Sequence, residues 1–188
     1  TNHNGNFDLA IEMIDKAAHT GVYAVKFQTF KAENFTTKDV PAFTGARKLG
    51  YTKQFDRWKS LEFTKDQILS LAKLARDKKV IFMSTPFDEE SVDLLYPLVS
   101  AFKVASVDLT NIKLLRYIIS KGKPVILSTG MATISEIDSV VKIFPRDGLA
   151  LLHCISAYPT PDNEINLGFI NFLQKRYKIP VGYSDHSI

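Results

Sequence analysis

Apolar positions along the chain change their spacing several times. Within residues 7–20, Leu9, Ile11, Met13, Ile14 and Ala17 fall near helical spacing, which predicts an amphipathic helix stopped by Gly21. Residues 24–28 then read as a short strand. From Lys31 to about Leu61 the rhythm dissolves into a polar and aromatic excursion. An excursion of that length in a compact domain signals function or small helices of its own. Regular spacing resumes at 64–78, a helix for which Thr64 is the expected N-cap and Gln67 its capping-box partner. Strands are expected at 80–84, 101–105, 124–128, 149–153 and 180–183, with helices at 88–98, 111–121, 134–144 and 167–177 between them.

The expected strands are short and nearly continuously apolar, the pattern of a parallel sheet covered by helices on both faces. A doubly wound sheet and a barrel both fit. No Gly-x-Gly-x-x-Gly follows a strand, which removes the main reason to favour a dinucleotide fold. Polar residues gather instead after each strand: Gln28, Ser84-Thr85, Ser106, Ser128-Thr129, Ser156 and Ser184-Asp185-His186. Functional groups at the C-terminal ends of several strands are how a (β/α)8 barrel builds its site. The expectation is therefore an α/β fold of the (β/α)8 (TIM) barrel class. Six strands are visible and would be the second to seventh, so the first and last are expected to be lacking and residues 1–188 to be the central part of one barrel domain.

Composition narrows the function. Of 188 residues, 45% are hydrophobic and 23% charged, the balance of a globular protein. No apolar run approaches the ~20 residues of a membrane span, and no signal segment is visible. The single cysteine, Cys154, has no partner for an internal disulfide, and the expected setting is cytoplasmic. A net charge of +4 is spread among acids without a basic stripe or interleaved aromatics, which argues against a nucleic-acid partner. A mild positive excess still suits a small anionic substrate.

Lys26 and Lys103 lie in or at the end of apolar strands, where a charge is costly unless paired or facing a charged ligand. The hydroxyl residues Ser84-Thr85, Ser106 and Ser128-Thr129 before Gly130 suit either phosphate oxygens or the caps of the helices that follow. His3, His153 and His186 stand beside strand ends or loop mouths, as metal ligands, acid/base groups or hydrogen-bonded core residues. His153, within Leu151-Leu152-His153-Cys154, fits the core role, whereas Asp185 beside His186 is placed to orient that ring. Neither Cys-x-x-Cys nor His-Glu-x-x-His occurs.

Eight segments in register carry a resemblance. They are Asn2-His3-Asn4-Gly5, Lys26-Phe27-Gln28-Thr29-Phe30, Ser84-Thr85-Pro86-Phe87-Asp88, Lys103-Val104-Ala105-Ser106, Leu127-Ser128-Thr129-Gly130-Met131, Leu151-Leu152-His153-Cys154, Tyr158-Pro159-Thr160-Pro161 and Gly182-Tyr183-Ser184-Asp185-His186. In this order they resemble the N-acetylneuraminate (sialic acid) synthase family, including the pseudaminic and legionaminic acid synthases. The resemblance implies an enzyme that condenses phosphoenolpyruvate with an N-acetylated hexosamine, with a divalent metal, Mn2+ or Mg2+. It assigns Lys26, Thr85, Lys103, Ser106, Ser128 and Ser184 to phosphoenolpyruvate, Gln28, Asp108 and Tyr158 to the sugar and the reacting centre, and His186 to the metal. It also implies a homodimer in the full-length protein and a C-terminal antifreeze-like domain, which is absent from these 188 residues. Val107-Asp108 stands where some sialic acid synthases have Gly-Glu. Alternatives are another phosphoenolpyruvate–aldose condensing synthase, or a barrel fragment that binds an anion or partner without turnover.

Overall fold

A computed structural model describes residues 2–187. The chain divides into two compact units, Thr1–Ser100 and Ala101–Ile188.

In the first unit α1 (Phe7–His19) begins where the Asn6 side chain accepts from the Leu9 N–H, and it buries Ala10 and Ile14. It is followed by β1 (Ala24–Thr29), and the long excursion carries three short helices, α2 (Ala32–Phe35), α3 (Thr44–Arg47) and α4 (Gln54–Leu61). Two devices hold it. Phe30, Phe35, Trp58 and Phe87 form an aromatic cluster, with Phe35 4.8 Å from Trp58 and 4.7 Å from Phe87. Glu62 accepts from Lys31 Nζ at 2.9 Å, the Ala32 N–H at 3.1 Å and Lys59 Nζ at 3.1 Å, tying the two ends of the excursion together. Gly5 must stay a glycine: its φ is +80°, and a Cβ there would sit 1.9 Å from the Ser60 carbonyl oxygen. Next, α5 (Lys65–Asp77) opens with the expected Thr64–Gln67 capping box and buries Ile68, Leu71, Ala72 and Ala75. Then come β2 (Ile81–Pro86) and α6 (Glu89–Leu95), the latter capped by Asp88. β1 and β2 pair in parallel, with Lys26 opposite Met83, Phe27 opposite Ser84 and Gln28 opposite Thr85.

The second unit alternates strictly. Its elements are β3 (Phe102–Val104), a 3-10 turn at Ser106–Asp108, α7 (Ile112–Ser120), β4 (Val125–Ser128), α8 (Ile134–Val141), β5 (Leu149–His153), α9 (Gly168–Tyr177) and β6 (Val181–Tyr183). The four strands form one parallel sheet in sequence order. Registry places Phe102 beside Val125 and Leu149 on one face, and Lys103 beside Ile126 and Ala150 on the other. Phe102, Val104, Leu127 and Leu151 are completely buried, whereas Ile126, Ala150 and Leu152 on the opposite face are only half-buried. The first face is the core side, and α7, which follows β3, buries a stripe of its own, Leu114, Leu115 and Ile118. Every expected element is present, with ends shifted by a few residues.

Ile118 is fully buried in that stripe. Ile118→Ala is expected to cost about 2–5 kcal/mol, read as a lower urea midpoint with an unchanged far-ultraviolet dichroism spectrum before the transition.

Candidate active site

Strand alternation sorts the candidate residues before any chemistry is considered. In the first unit Lys26, Gln28 and Thr85 share one face of the β1–β2 pair by registry. Ser84 points the other way and its Oγ bonds Thr29 Oγ1 at 2.8 Å, fully buried. Ser84 is thus a structural hydroxyl, and Thr85, 2% exposed, is the member of the pair on the lysine's face. Lys26 keeps a solvent-accessible surface, although desolvation by the surrounding protein lowers its pKa from the ordinary lysine value.

In the second unit Lys103 is buried, and its Nζ donates to Ser128 Oγ at 2.6 Å and to the Val104 carbonyl at 2.7 Å. Because Ser128 Oγ accepts from the ammonium, its own hydrogen can serve another acceptor. Beside this pair, Ser106 Oγ accepts from the Gly130 N–H at 2.9 Å and lies 3.2 Å from Cys154 Sγ. Gly130 leaves no room for a side chain. A Cβ would meet Ser156 Oγ at 2.5 Å, Cys154 Sγ at 2.8 Å and Ser106 Oγ at 3.0 Å. The ends of β3, β4 and β5 therefore converge on a small cradle of hydroxyls, a thiol and a backbone N–H, next to a buried cation. Such a set suits an anion. None of these hydroxyls caps the α-helix that follows; Asp88, Asn111 and Thr133 do that work. Thr129 also leaves the group, since both its N–H and its Oγ1 bond the Leu152 carbonyl.

Asp108 ends the 3-10 turn after β3. Its Oδ1 accepts from Asn111 Nδ2 at 3.2 Å, while Oδ2 is buried with no partner. Burial raises its pKa above the usual carboxylate value, opposed by the Asn111 hydrogen bond. The histidines separate. His153 is a core residue, with Nε2 2.8 Å from the Ile165 carbonyl. At His186, Nδ1 lies 2.8 Å from the Ile155 carbonyl, which only accepts, so Nδ1 carries the proton. Nε2 lies 3.3 Å from Ser184 Oγ. Asp185 does not orient this ring as expected: its Oδ1 is taken by the N–H and hydroxyl of Ser187. The Tyr158 ring lies against His186 at 4.3 Å. His3 is buried, stacked on Phe63 at 4.3 Å, and its Nδ1 accepts from the Gly5 N–H. Desolvation lowers its pKa to about 4. It is a structural residue.

The sequence reading thus found Lys103, Ser106, Ser128, Asp108, Ser184 and His186 within one unit, and Lys26, Gln28 and Thr85 within the other. It passed over Asn111, whose only signal was its place at the start of a helix, three residues after Asp108.

Comparison with known proteins places these residues in a family. Residues 13–188 match the model of the NeuB family. An uncharacterized protein of Methanocaldococcus jannaschii is 41% identical over 191 residues, 100% of this chain and 53% of that protein. N,N'-diacetyllegionaminic acid synthase of Legionella pneumophila is 38% identical over 203 residues, 100% of this chain and 55% of that protein. The chain thus spans about half the length of these curated relatives. A crystal structure of N-acetylneuraminic acid (sialic acid) synthetase from Leptospira borgpetersenii, in complex with citrate, superposes with a TM-score of 0.86 at 37% identity, covering 99% of this chain and 62% of that one. The expected (β/α)8-barrel class is the class of fold found. Among the described residues no helix is long and apolar enough to cross a membrane.

Two outcomes follow from the geometry. Gly130→Ala is expected to cost about 1–3 kcal/mol of stability through overpacking, because its Cβ would sit 2.5 Å from Ser156 Oγ and 2.8 Å from Cys154 Sγ; the urea midpoint measures it. His3 is neutral when folded and protonates more readily when unfolded, so its contribution to stability is complete above its ordinary pKa of 6.5 and is lost as pH falls from there to about 4. Denaturation midpoints across that window should fall less steeply in His3→Phe than in the unaltered protein.

Proposed function

The chain belongs to the NeuB family, and from that premise we propose that the protein it forms part of condenses phosphoenolpyruvate with an N-acetylated hexosamine, giving a sialic acid-like nonulosonate and inorganic phosphate. The observation that carries this reading is the buried Lys103–Ser128 pair beside the Ser106–Gly130 cradle. A buried ammonium and inward hydroxyl donors are what the phosphate and carboxylate of phosphoenolpyruvate require.

In this reading C3 of phosphoenolpyruvate attacks the aldehyde carbon of the open-chain sugar and a C–C bond forms. The aldehyde oxygen takes up a proton. Water adds to C2, and the C–O bond to phosphate breaks, releasing inorganic phosphate. Within the second unit Lys103, Ser106, Ser128 and Ser184 hold the anionic substrate, and Tyr158 holds the sugar. Asp108, with its bare Oδ2 and raised pKa, exchanges the proton at the reacting centre. A divalent ion, Mn2+ or Mg2+, supplies Lewis-acid polarisation of the aldehyde when bound. His186 would offer it one ligand through Nε2, in place of its contact with Ser184 Oγ. Among the described residues no three His, Cys, Asp or Glu side chains stand together as a complete metal site, so no step here runs through the ion. The name of the Legionella relative puts a diacetamido sugar beside N-acetylmannosamine among the acceptors to try.

The test is phosphate release from phosphoenolpyruvate by the full-length protein with Mn2+ and each acylated sugar. Release is expected only with a sugar present, and Lys103→Ala should lower it at least about a hundredfold. A folded protein that releases none with any acylated hexosamine overturns the reading.

A further inference from the structure

Asn111 is the N-cap of α7, and its side chain is engaged at both ends. Oδ1 accepts from the Leu114 N–H at 3.3 Å, and Nδ2 donates to Asp108 Oδ1 at 3.2 Å. The amide can point in one direction only. A flip would set its NH2 against the helix N–H and its oxygen against the carboxylate. Its backbone is committed too: its N–H donates to the Asp108 carbonyl, and its carbonyl accepts from the Leu115 N–H. Leu114, Leu115 and Ile118 anchor the helix in the core. A continuous hydrogen-bonded path therefore runs from the N-terminus of α7, through the exposed Asn111 amide, to one oxygen of Asp108.

We propose that Asn111 is a positioning residue for the reaction: by occupying Asp108 Oδ1 from the helix cap it fixes the carboxyl and leaves Oδ2 as the one atom that meets substrate. Oδ2 is the buried side-chain oxygen without a hydrogen-bond partner among the described residues. A buried acceptor left unmet costs about 1–3 kcal/mol, a cost that a substrate hydroxyl or water can offset. An ordinary cap asks nothing of a carboxylate three residues earlier, so the second bond is what separates this residue from a merely structural one. The surrounding charges are few. α7 carries Lys113, Arg116 and Tyr117, with Lys113 and Arg116 exposed, and Lys103 on β3 donates to Ser128 and Val104. The raised pKa of Asp108 comes from burial, opposed by the Asn111 bond.

The inference rests on the synthase reading for its activity arm and not for its titration arm. Asn111→Asp keeps a good cap and replaces the donor with a second carboxylate; Asn111→Ser keeps a cap and removes the donor. In the full-length protein both variants should hold their thermal midpoints close to that of the unaltered protein. Both should lower kcat roughly tenfold or more, with the KM for phosphoenolpyruvate unchanged, and the acid limb of the kcat–pH profile should move to higher pH, furthest in Asn111→Asp. Carboxyl carbon-13 resonances of Asp108, assigned with Asp108→Asn, should titrate at higher pH in both variants, whether or not turnover is found. Variants with unaltered kcat and pH profile, or an Asp108 titration that does not move, overturn the proposal. If the unaltered protein shows no turnover while the Asp108 titration moves as stated, the synthase reading fails and the positioning of Asp108 stands.

Discussion

A parallel strand flanked by helices has one face to give to the core and one face left over, and the two-residue period of the strand decides which side chain goes where. Everything that resembles a site here follows from that division. Phe102, Val104, Leu127 and Leu151 are completely buried on one face, so Lys103 and Ser128, of opposite parity, point to the other. Burial of a lysine on that second face is tolerable because Ser128 and the Val104 carbonyl receive its hydrogen bonds. The same division separates Ser84 from Thr85, neighbours in sequence that serve opposite sides of the sheet.

Much of this was legible from the chain alone, for identifiable reasons. Alternation of short apolar runs with 3.6-spaced segments located every element, and the Thr64–Gln67 capping box was readable letter by letter. Polar residues at strand ends picked out Lys103, Ser106 and Ser128, which the fold gathers at the ends of β3 and β4. What stayed hidden were the choices that side chains make between equivalent partners. Asp185 is adjacent to His186 in sequence, yet the Ser187 N–H is nearer to hand for its carboxylate, and a carbonyl from another loop, that of Ile155, orients the ring. A cap is the commoner role for a lone serine such as Ser106 or Ser128, but Asn111 and Thr133 cap those helices instead. The excursion between β1 and α5 has no period to read, because aromatic packing and the Glu62 bonds hold it in place of an amphipathic repeat.

The polar groups of the second unit differ in how far their hydrogen-bonding capacity is used up. Ser106 and Lys103 make internal bonds that hold them in place. His186 has one nitrogen fixed and the other lightly engaged. Asp108 has one oxygen satisfied and one bare. Partial satisfaction of this kind fixes geometry without filling the site, and it places the remaining capacity where a ligand must supply the complement.

The unequal burial of the two sheet faces has a consequence for how such a protein changes over generations. Replacements at Phe102, Leu127 or Leu151 strike fully buried positions and threaten folding itself. Ile126, Ala150 and Leu152 lie on the same face as Lys103 and Ser128 and are only half-buried. Drift there alters the shape and polarity around the Lys103–Ser128 pair at a small cost in stability. The fold thereby keeps its tolerant positions beside its buried polar groups and its intolerant positions behind the sheet, so those surroundings can change without a new scaffold.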